Sequence, residues 1–231
     1  MLDFVKGPFD FFKWRKLMDG VLDGIDGFIA VSRAMQEIHV KHLPELGSRP
    51  LAVVYNPVTE PLEYVRPDPE GPYGNYIVYA SGSNPIKDPH LLLEAWPVVS
   101  REFRDLRLYI VGCKNSWVES VAKKMNLKNV VFTERLPPES YYRLMYGARA
   151  VVMPSLWPEP FGRIPVEANR LGVPAVVSSA GGLPETIVDG VTGYVFRSGD
   201  SEELAEKIVR LLERNFDRGS IVKHSYERIN P

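Results

Sequence analysis

Ala150-Val-Val-Met-Pro-Ser-Leu-Trp-Pro-Glu159-Pro-Phe-Gly-Arg-Ile-Pro-Val-Glu167-Ala-Asn-Arg-Leu171-Gly-Val-Pro-Ala175-Val-Val-Ser178 is the stretch that decides the fold class. Its first four residues form an unbroken apolar run ended by Pro154, the pattern of a strand buried on both faces. A loop carrying Glu159 follows. Pro165 suits the first turn of a helix, because an N–H there has no partner within the helix. That helix is expected over Pro165–Leu171. A second apolar run, Ala175–Ser178, completes a strand–helix–strand unit. Strands joined through a crossing helix run parallel.

The same alternation extends outward from this unit. Strands are expected at Tyr76–Ala80, Leu106–Val111, Val130–Phe132 and Tyr194–Phe196. Helices are expected at His90–Arg101, Trp117–Met125, Pro138–Tyr146 and Glu202–Arg214. Ser81-Gly82-Ser83-Asn84-Pro85, Gly181-Gly182 and Asp189-Gly190 supply turns between them. The fold class is therefore α/β, with a doubly wound, Rossmann-like parallel sheet over residues 75–231 and helices at its C-terminal end. Such sheets bind ligands beyond the carboxyl ends of their strands, which directs attention to the loops that follow them.

The residues before this domain read differently. Gly27–Ser32 reads as one buried strand, Arg33–His42 as a helix capped by Ser32, and Leu51–Tyr55 as a second strand ended by Asn56-Pro57. A further helix is expected around Phe9–Leu22, and the proline- and glycine-rich residues 61–74 read as a linker. So small a set of elements cannot bury a core alone. Residues 1–60 are therefore expected to pack on the main domain, on a facing-domain partner, or on a second copy through residues 1–45. Phe4–Leu17 mixes aromatic and basic residues. It reads as a membrane-surface helix or as an interface segment; Asp3, Asp10 and Gly7-Pro8 favour the interface.

Composition narrows the function classes. The 231 residues are 45% hydrophobic and 25% charged, ordinary for a chain with a sizeable core. A net charge of −1 gives no basic excess for nucleic acid. No apolar run reaches the ~20 residues that span a bilayer, and the first residues lack a secretory pattern. Cys113 is the single cysteine, so no internal disulfide forms and a reducing, cytoplasmic setting is expected. Peripheral attachment would place the chain at the inner membrane surface. Twenty prolines against one glutamine lean towards a thermophile. His39 and His42 have no third ligand nearby for zinc, and Val111-Gly112-Cys113-Lys114 lacks phosphate-loop spacing.

The loop and helix start at 159–167 can carry chemistry. The amides of Phe161, Gly162, Arg163 and Ile164 cluster where the helix begins, and its positive end suits a phosphate or a sugar hydroxyl. Gly162 permits close backbone approach, and Arg163 offers a bidentate phosphate contact. The carboxylates of Glu159 and Glu167 can each accept two hydrogen bonds, as neighbouring sugar hydroxyls require.

This segment resembles the Glu-x7-Glu motif of the group 1 (family 4) retaining glycosyltransferases of GT-B fold. Pro154-Ser155 before it and Leu171-Gly172-Val173-Pro174 after it are similar to that family. So are Gly181-Gly182…Glu185…Asp189-Gly190…Thr192-Gly193 and Lys87-Asp-Pro-His. The likeness covers about residues 75 to 215. It implies a nucleoside diphosphate sugar as donor and no metal or other cofactor. Glu159 would hold donor-sugar hydroxyls, Phe161–Ile164 the sugar and diphosphate, and Glu167 the ribose. Lys87 would meet the diphosphate and Gly181-Gly182 would wall the sugar side. The turn from Thr133 to Leu136 would lie against the base. Glu159 and Lys87 would form the catalytic centre: Glu159 positions the sugar, while Lys87 and the helix dipole stabilise the departing diphosphate. The arginine usual before that lysine is absent, with Ser81, Gly82 and Ser83 in its place and Arg163 as the candidate substitute. Asp26–Ser32 and Tyr55–Val58 resemble the end of the family's acceptor-side domain and the crossover from it. Two rival readings stand beside this one: a non-catalytic nucleotide-sugar-binding subunit or half of a split enzyme, and a sugar-nucleotide epimerase on the same fold.

Overall fold

The computed structural model describes residues 24–58, 64–65 and 74–229, with positions 16, 20–22 and 61. Most of the Phe4–Leu17 segment, most of the helix expected around Phe9–Leu22 and most of the linker lie outside the described residues.

Eight strands and seven α-helices are described. They are β1 (Phe28–Ala30), α1 (Arg33–His42), β2 (Leu51–Val53), β3 (Tyr76–Tyr79), α2 (Pro89–Glu102), β4 (Arg107–Ile110), α3 (Trp117–Lys124) and β5 (Val130–Phe132). Then come α4 (Pro138–Tyr146), β6 (Ala150–Met153), α5 (Arg163–Arg170), β7 (Ala175–Ser178), β8 (Gly193–Phe196), α6 (Ser201–Glu213) and α7 (Arg218–Arg228). Strands β3 to β8 form one parallel sheet in the order β5-β4-β3-β6-β7-β8. The order reverses between β3 and β6, the point where doubly wound sheets open a crevice.

Alternate residues of each strand feed two separate cores. Ile77, Tyr79, Leu108, Ile110, Val152 and Val176 pack with Trp96, Leu92 and Ile208 of α2 and α6. Val78, Val151, Met153, Ala175 and Val177 pack on the other side with Met145, Ala168 and Leu171. Burial on both sides explains why these strands read as continuous apolar runs. The buried indole of Trp96 satisfies its N–H by donating to the Lys128 carbonyl at 2.8 Å. Cys113, in the turn after β4, is fully buried in the first core, and burial pushes its thiol up to about 11.

The smaller unit differs from expectation in two respects. β1 and β2 do pair in parallel, with α1 crossing between them. Ser32 caps α1 as expected, its hydroxyl accepting from the Met35 amide at 3.1 Å. The strands are shorter, three residues each, and β1 is not buried on both faces: Ile29 is 70% exposed. A two-stranded sheet with one helix has too few neighbours to cover it.

Two further departures concern helices. α5 begins at Arg163, so Pro165 is its third residue; the missing N–H is harmless anywhere in that first turn. α7 is one of the helices expected at the C-terminal end, but the pattern gave it no bounds. It buries Arg218, whose guanidinium lies 4.4 Å from the Tyr146 ring and donates to the Tyr146 carbonyl at 3.1 Å. Hydrophobic periodicity gives no sign of a helix anchored by an arginine. Among the described residues, no helix is long and apolar enough to cross a membrane.

Candidate functional site

A cavity of about 640 Å³ opens at the carboxyl ends of the central strands. Ala80 follows β3, Val111 and Gly112 follow β4, Arg135 and Leu136 follow β5, and Met153 ends β6. Ser81, Gly82, Lys87, Tyr141 and Ile164 complete much of the wall. The loop after β3 is held from two sides. Tyr79 donates its hydroxyl to the Gly82 carbonyl at 2.8 Å, and the Trp117 indole donates to the Ser83 carbonyl at 2.7 Å. The Ser81 hydroxyl is buried without a hydrogen-bond partner among the described residues, beside the cavity it lines.

Lys87 ends a 3-10 turn that Asn84 caps by accepting from the Ile86 amide. Asp88 then takes a left-handed conformation and caps α2 by accepting from the Leu91 amide at 3.1 Å. This sharp reversal at the start of α2 leaves the Lys87 side chain facing the loop after β6. Its ammonium donates to Glu159 Oε1 at 2.5 Å. Ser155, fully buried, places its Oγ 2.8 Å from the same oxygen. Both partners use Oε1, so Oε2 keeps its acceptor capacity.

The backbone around Glu159 is fastened at three points. The Leu156 and Trp157 amides donate to the Ile86 carbonyl. The Ser178 hydroxyl at the end of β7 donates to the Ser155 carbonyl at 2.6 Å. Glu159 bridges to Gly181, and the Gly182 amide donates to the Glu159 carbonyl at 2.7 Å. Gly181, at φ 59°, is pressed so closely on this loop that a Cβ would stand 2.4 Å from the Glu159 carbonyl oxygen. Gly181 and Gly182 thus support Glu159 from behind and are not among the cavity-lining residues.

Glu167 is buried in the second turn of α5. Tyr141 of α4 donates its hydroxyl to one carboxylate oxygen, and Arg163 donates to the other, each at 3.4 Å. Both contacts are long for hydrogen bonds and leave the carboxylate able to accept better ones. Burial raises the Glu167 carboxyl above its ordinary 4.5, opposed by Arg163 and by the Tyr141 hydroxyl. Burial first, and then Glu167, push the Tyr141 hydroxyl upward, so at neutral pH it stays protonated and donating.

The N-cap of α5 is Gly162, which has φ 98° and no side chain to cap the helix. The first-turn amides of Arg163 and Ile164 therefore receive no cap from that residue. Phe161 is buried, its ring stacked on Tyr55 with centroids 5.2 Å apart.

Of the residues singled out in the sequence, Ser81, Gly82, Lys87, Leu136 and Ile164 line the cavity. Glu159 and Glu167 reach it through Lys87 and Tyr141. Thr133 lies outside the lining; its hydroxyl turns back to the Glu134 carbonyl at 2.9 Å. Arg163 is directed at Glu167, and the cation that lines the cavity beside Lys87 is Arg135. The sequence pattern gave no role to Ser155 or Tyr141, and placed Arg135 only within the turn Thr133–Leu136 expected against the base. Only Pro154-Ser155, as part of the strand-to-loop junction, offered a signal for either of the first two. His39 binds the Met35 carbonyl within its own helix at 2.6 Å.

Known proteins share this architecture. The family model described as Glycosyl transferases group 1 matches residues 66–228. Spore coat protein SA of Bacillus subtilis is 31% identical over 166 residues, which are 67% of this chain and 44% of that protein. A D-inositol 3-phosphate glycosyltransferase of Corynebacterium aurimucosum is 27% identical over 59% of this chain and 34% of its own length. Among solved structures, Anabaena Alr3699/HepE in complex with UDP and glucose superposes with a TM-score of 0.76 at 22% identity, covering 96% of this chain and 64% of that one. TarM superposes with a TM-score of 0.76 at 20% identity, over 99% of this chain and 45% of that one. The chain thus spans less than half of these curated relatives and less than two thirds of these structures.

Proposed function

The chain belongs to the group 1 glycosyl transferases, and we propose that its cavity binds a nucleoside diphosphate sugar as the donor for glycosyl transfer with retention of configuration. One observation carries the reading. Two buried carboxylates eight residues apart each meet a cavity-lining partner, Glu159 through Lys87 and Glu167 through Tyr141. HepE, of the same fold, has been solved with UDP and glucose, which supports the ligand class.

In this reading the diphosphate lies against Lys87, the Ser81 hydroxyl and the first-turn amides of Arg163 and Ile164. The sugar hydroxyls donate to Glu159 Oε2, and the ribose hydroxyls donate to Glu167. Leu136 and Arg135 flank the base. The C1–O bond to the diphosphate breaks as the acceptor oxygen bonds C1 on the same face. The acceptor proton passes to the departing phosphate oxygen, so no protein nucleophile is needed. Lys87 and the α5 dipole bear the charge that develops on the leaving group. The β1–α1–β2 unit is the acceptor-side portion, and a facing domain or second copy covers Ile29 and supplies acceptor contacts. If the purified chain binds donor but neither transfers nor hydrolyses it until such a partner is added, the chain is one half of a two-part enzyme.

Calorimetry with UDP, GDP, ADP and their sugar derivatives tests the donor site. At least one nucleotide sugar is expected to bind, and Glu167→Ala to weaken it at least about tenfold, the worth of one or two charge-assisted hydrogen bonds. The ligand hydroxyls need the ionised carboxylate, whose proton is held above pH 4.5 in the empty site. Affinity should therefore climb as pH rises beyond that value, and Glu167→Gln should flatten the climb. Stability of the empty protein should move the other way. A raised carboxyl stabilises most below its unfolded value, and that contribution is lost as pH rises through the folded one. The absence of any nucleotide binding would overturn the reading.

A further inference from the structure

We propose that Glu185 is a positioning residue that locks the β1–α1–β2 unit onto the turn supporting Glu159. Its effect on ligands rests on the donor-site reading above; its effect on the backbone does not.

The first three amides of an α-helix have no partner inside it. In α1 these belong to Arg33, Ala34 and Met35. Ser32, the local cap, takes only the third. The other two are taken from 151 residues or more away: Glu185 accepts from the Arg33 amide through Oε2 and from the Ala34 amide through Oε1, both at 2.9 Å. A bidentate carboxylate at the positive end of a helix gains from the dipole as well as from both hydrogen bonds. The Tyr55 hydroxyl, beyond β2, donates to Oε2 at 3.1 Å. One side chain therefore gathers the start of α1 and the chain leaving β2.

Its backbone is tied just as closely to the site. Glu185 sits in the 3-10 turn Leu183–Thr186, and its amide donates to the Gly182 carbonyl at 3.1 Å. The Gly182 amide donates to the Glu159 carbonyl. The turn packs directly on the α1 cap: a Cβ on Gly182 would stand 3.0 Å from the Ser32 Cβ. From the other side the Arg228 guanidinium donates to the Glu185 carbonyl at 2.6 Å, so α7 holds the turn as well. A second link runs parallel to the first, through the stacked rings of Tyr55 and Phe161. Movement of α1 relative to the main sheet thus acts on the peptide that fixes Glu159. The Glu185 carboxylate, which is not among the cavity-lining residues, thus couples the donor-sugar side to the acceptor-side unit alongside the Tyr55–Phe161 stack.

Residue-resolved amide hydrogen exchange on the full chain tests this without a ligand. In Glu185→Ala the Arg33 and Ala34 amides should exchange about tenfold faster or more, and the Gly182 amide should accelerate with them while the β4 and β7 amides do not. Tyr55→Phe removes one hydrogen bond from the same carboxylate and should give the same pattern at smaller size, which keeps the test alive if the alanine variant folds poorly. An unchanged Gly182 amide, or uniform acceleration across the sheet, sinks the proposal. UDP and UDP-glucose then serve as probes. If Glu185 positions the sugar side, Glu185→Ala weakens UDP-glucose several-fold more than UDP; equal losses for both contradict it. Should the unaltered protein bind neither, the donor-site reading fails, and the exchange pattern alone decides the lock.

Discussion

Gly181→Ala should cost at least about 3 kcal/mol of stability and reduce nucleotide-sugar affinity by about a hundredfold, the combined result of a forced positive φ and a main-chain collision. The new Cβ would lie 2.4 Å from the Glu159 carbonyl oxygen, 2.5 Å from its nitrogen and 2.6 Å from the Pro158 carbonyl carbon. All three are backbone atoms, so no rotamer change relieves the overlap. The only escape is to open the Glu159–Gly181 bridge and release the loop that aims the Glu159 carboxylate. Urea denaturation reads the stability, and calorimetry with UDP-glucose reads the affinity. Gly82→Ala is a useful contrast, since it has a similar φ of 71° but open space where the Cβ would go. It should show the conformational cost of about 1 kcal/mol without the collision. Equal costs at the two positions would show that the close approach at Gly181 has no consequence.

Lys87→Met should have the second-largest effect, through two separable routes. In the empty site it removes the ammonium from Glu159, whose side chain is 7% exposed, and leaves the carboxylate with the Ser155 hydroxyl alone. Stranding a nearly buried charge costs about 1–3 kcal/mol. In the proposed donor complex it would also remove the cation at the diphosphate, for a further loss of affinity of about a hundredfold. The double variant Lys87→Met/Glu159→Gln separates the routes. It should recover most of the stability, because no unpaired charge remains, and none of the affinity. If the double variant is as unstable as the sum of the singles, the ion pair is not what holds this loop.

Much of this fold follows from local pattern. The six strands of the main sheet lie between two helical layers, so each reads as an apolar run bounded by turns, and each falls within a residue or two of its expected place. Lys87, Glu159 and Glu167 stand out because charged groups in the loops after strands and near a helix start lie at the end of the sheet where ligands bind. Other features are set by contacts remote in sequence, which no window of sequence contains. Ser155 is placed by the Ile86 carbonyl 69 residues away, and Tyr141 gains its role from Glu167, 26 residues away. α7 depends on an arginine stacked on Tyr146, 72 residues earlier. β1 misled because an apolar run records what a strand is built to face; Ile29 stands exposed in a sheet of only two strands.

Cys113 gives the protein a built-in clock for its own opening. It is the only thiol in the chain, it is fully buried beneath Tyr79 and α3, and its ionisation is held up near 11. A thiol reagent attacks the thiolate of an accessible sulfur. Labelling in native buffer therefore waits for the central sheet to come apart, and should run at least about a thousandfold slower than in denaturant. The rate, followed by mass spectrometry, would report the kinetic lifetime of the folded state without any engineered probe. Added nucleotide sugar should lengthen that lifetime, turning a buried side chain outside the cavity lining into a gauge of donor binding that needs no introduced residue.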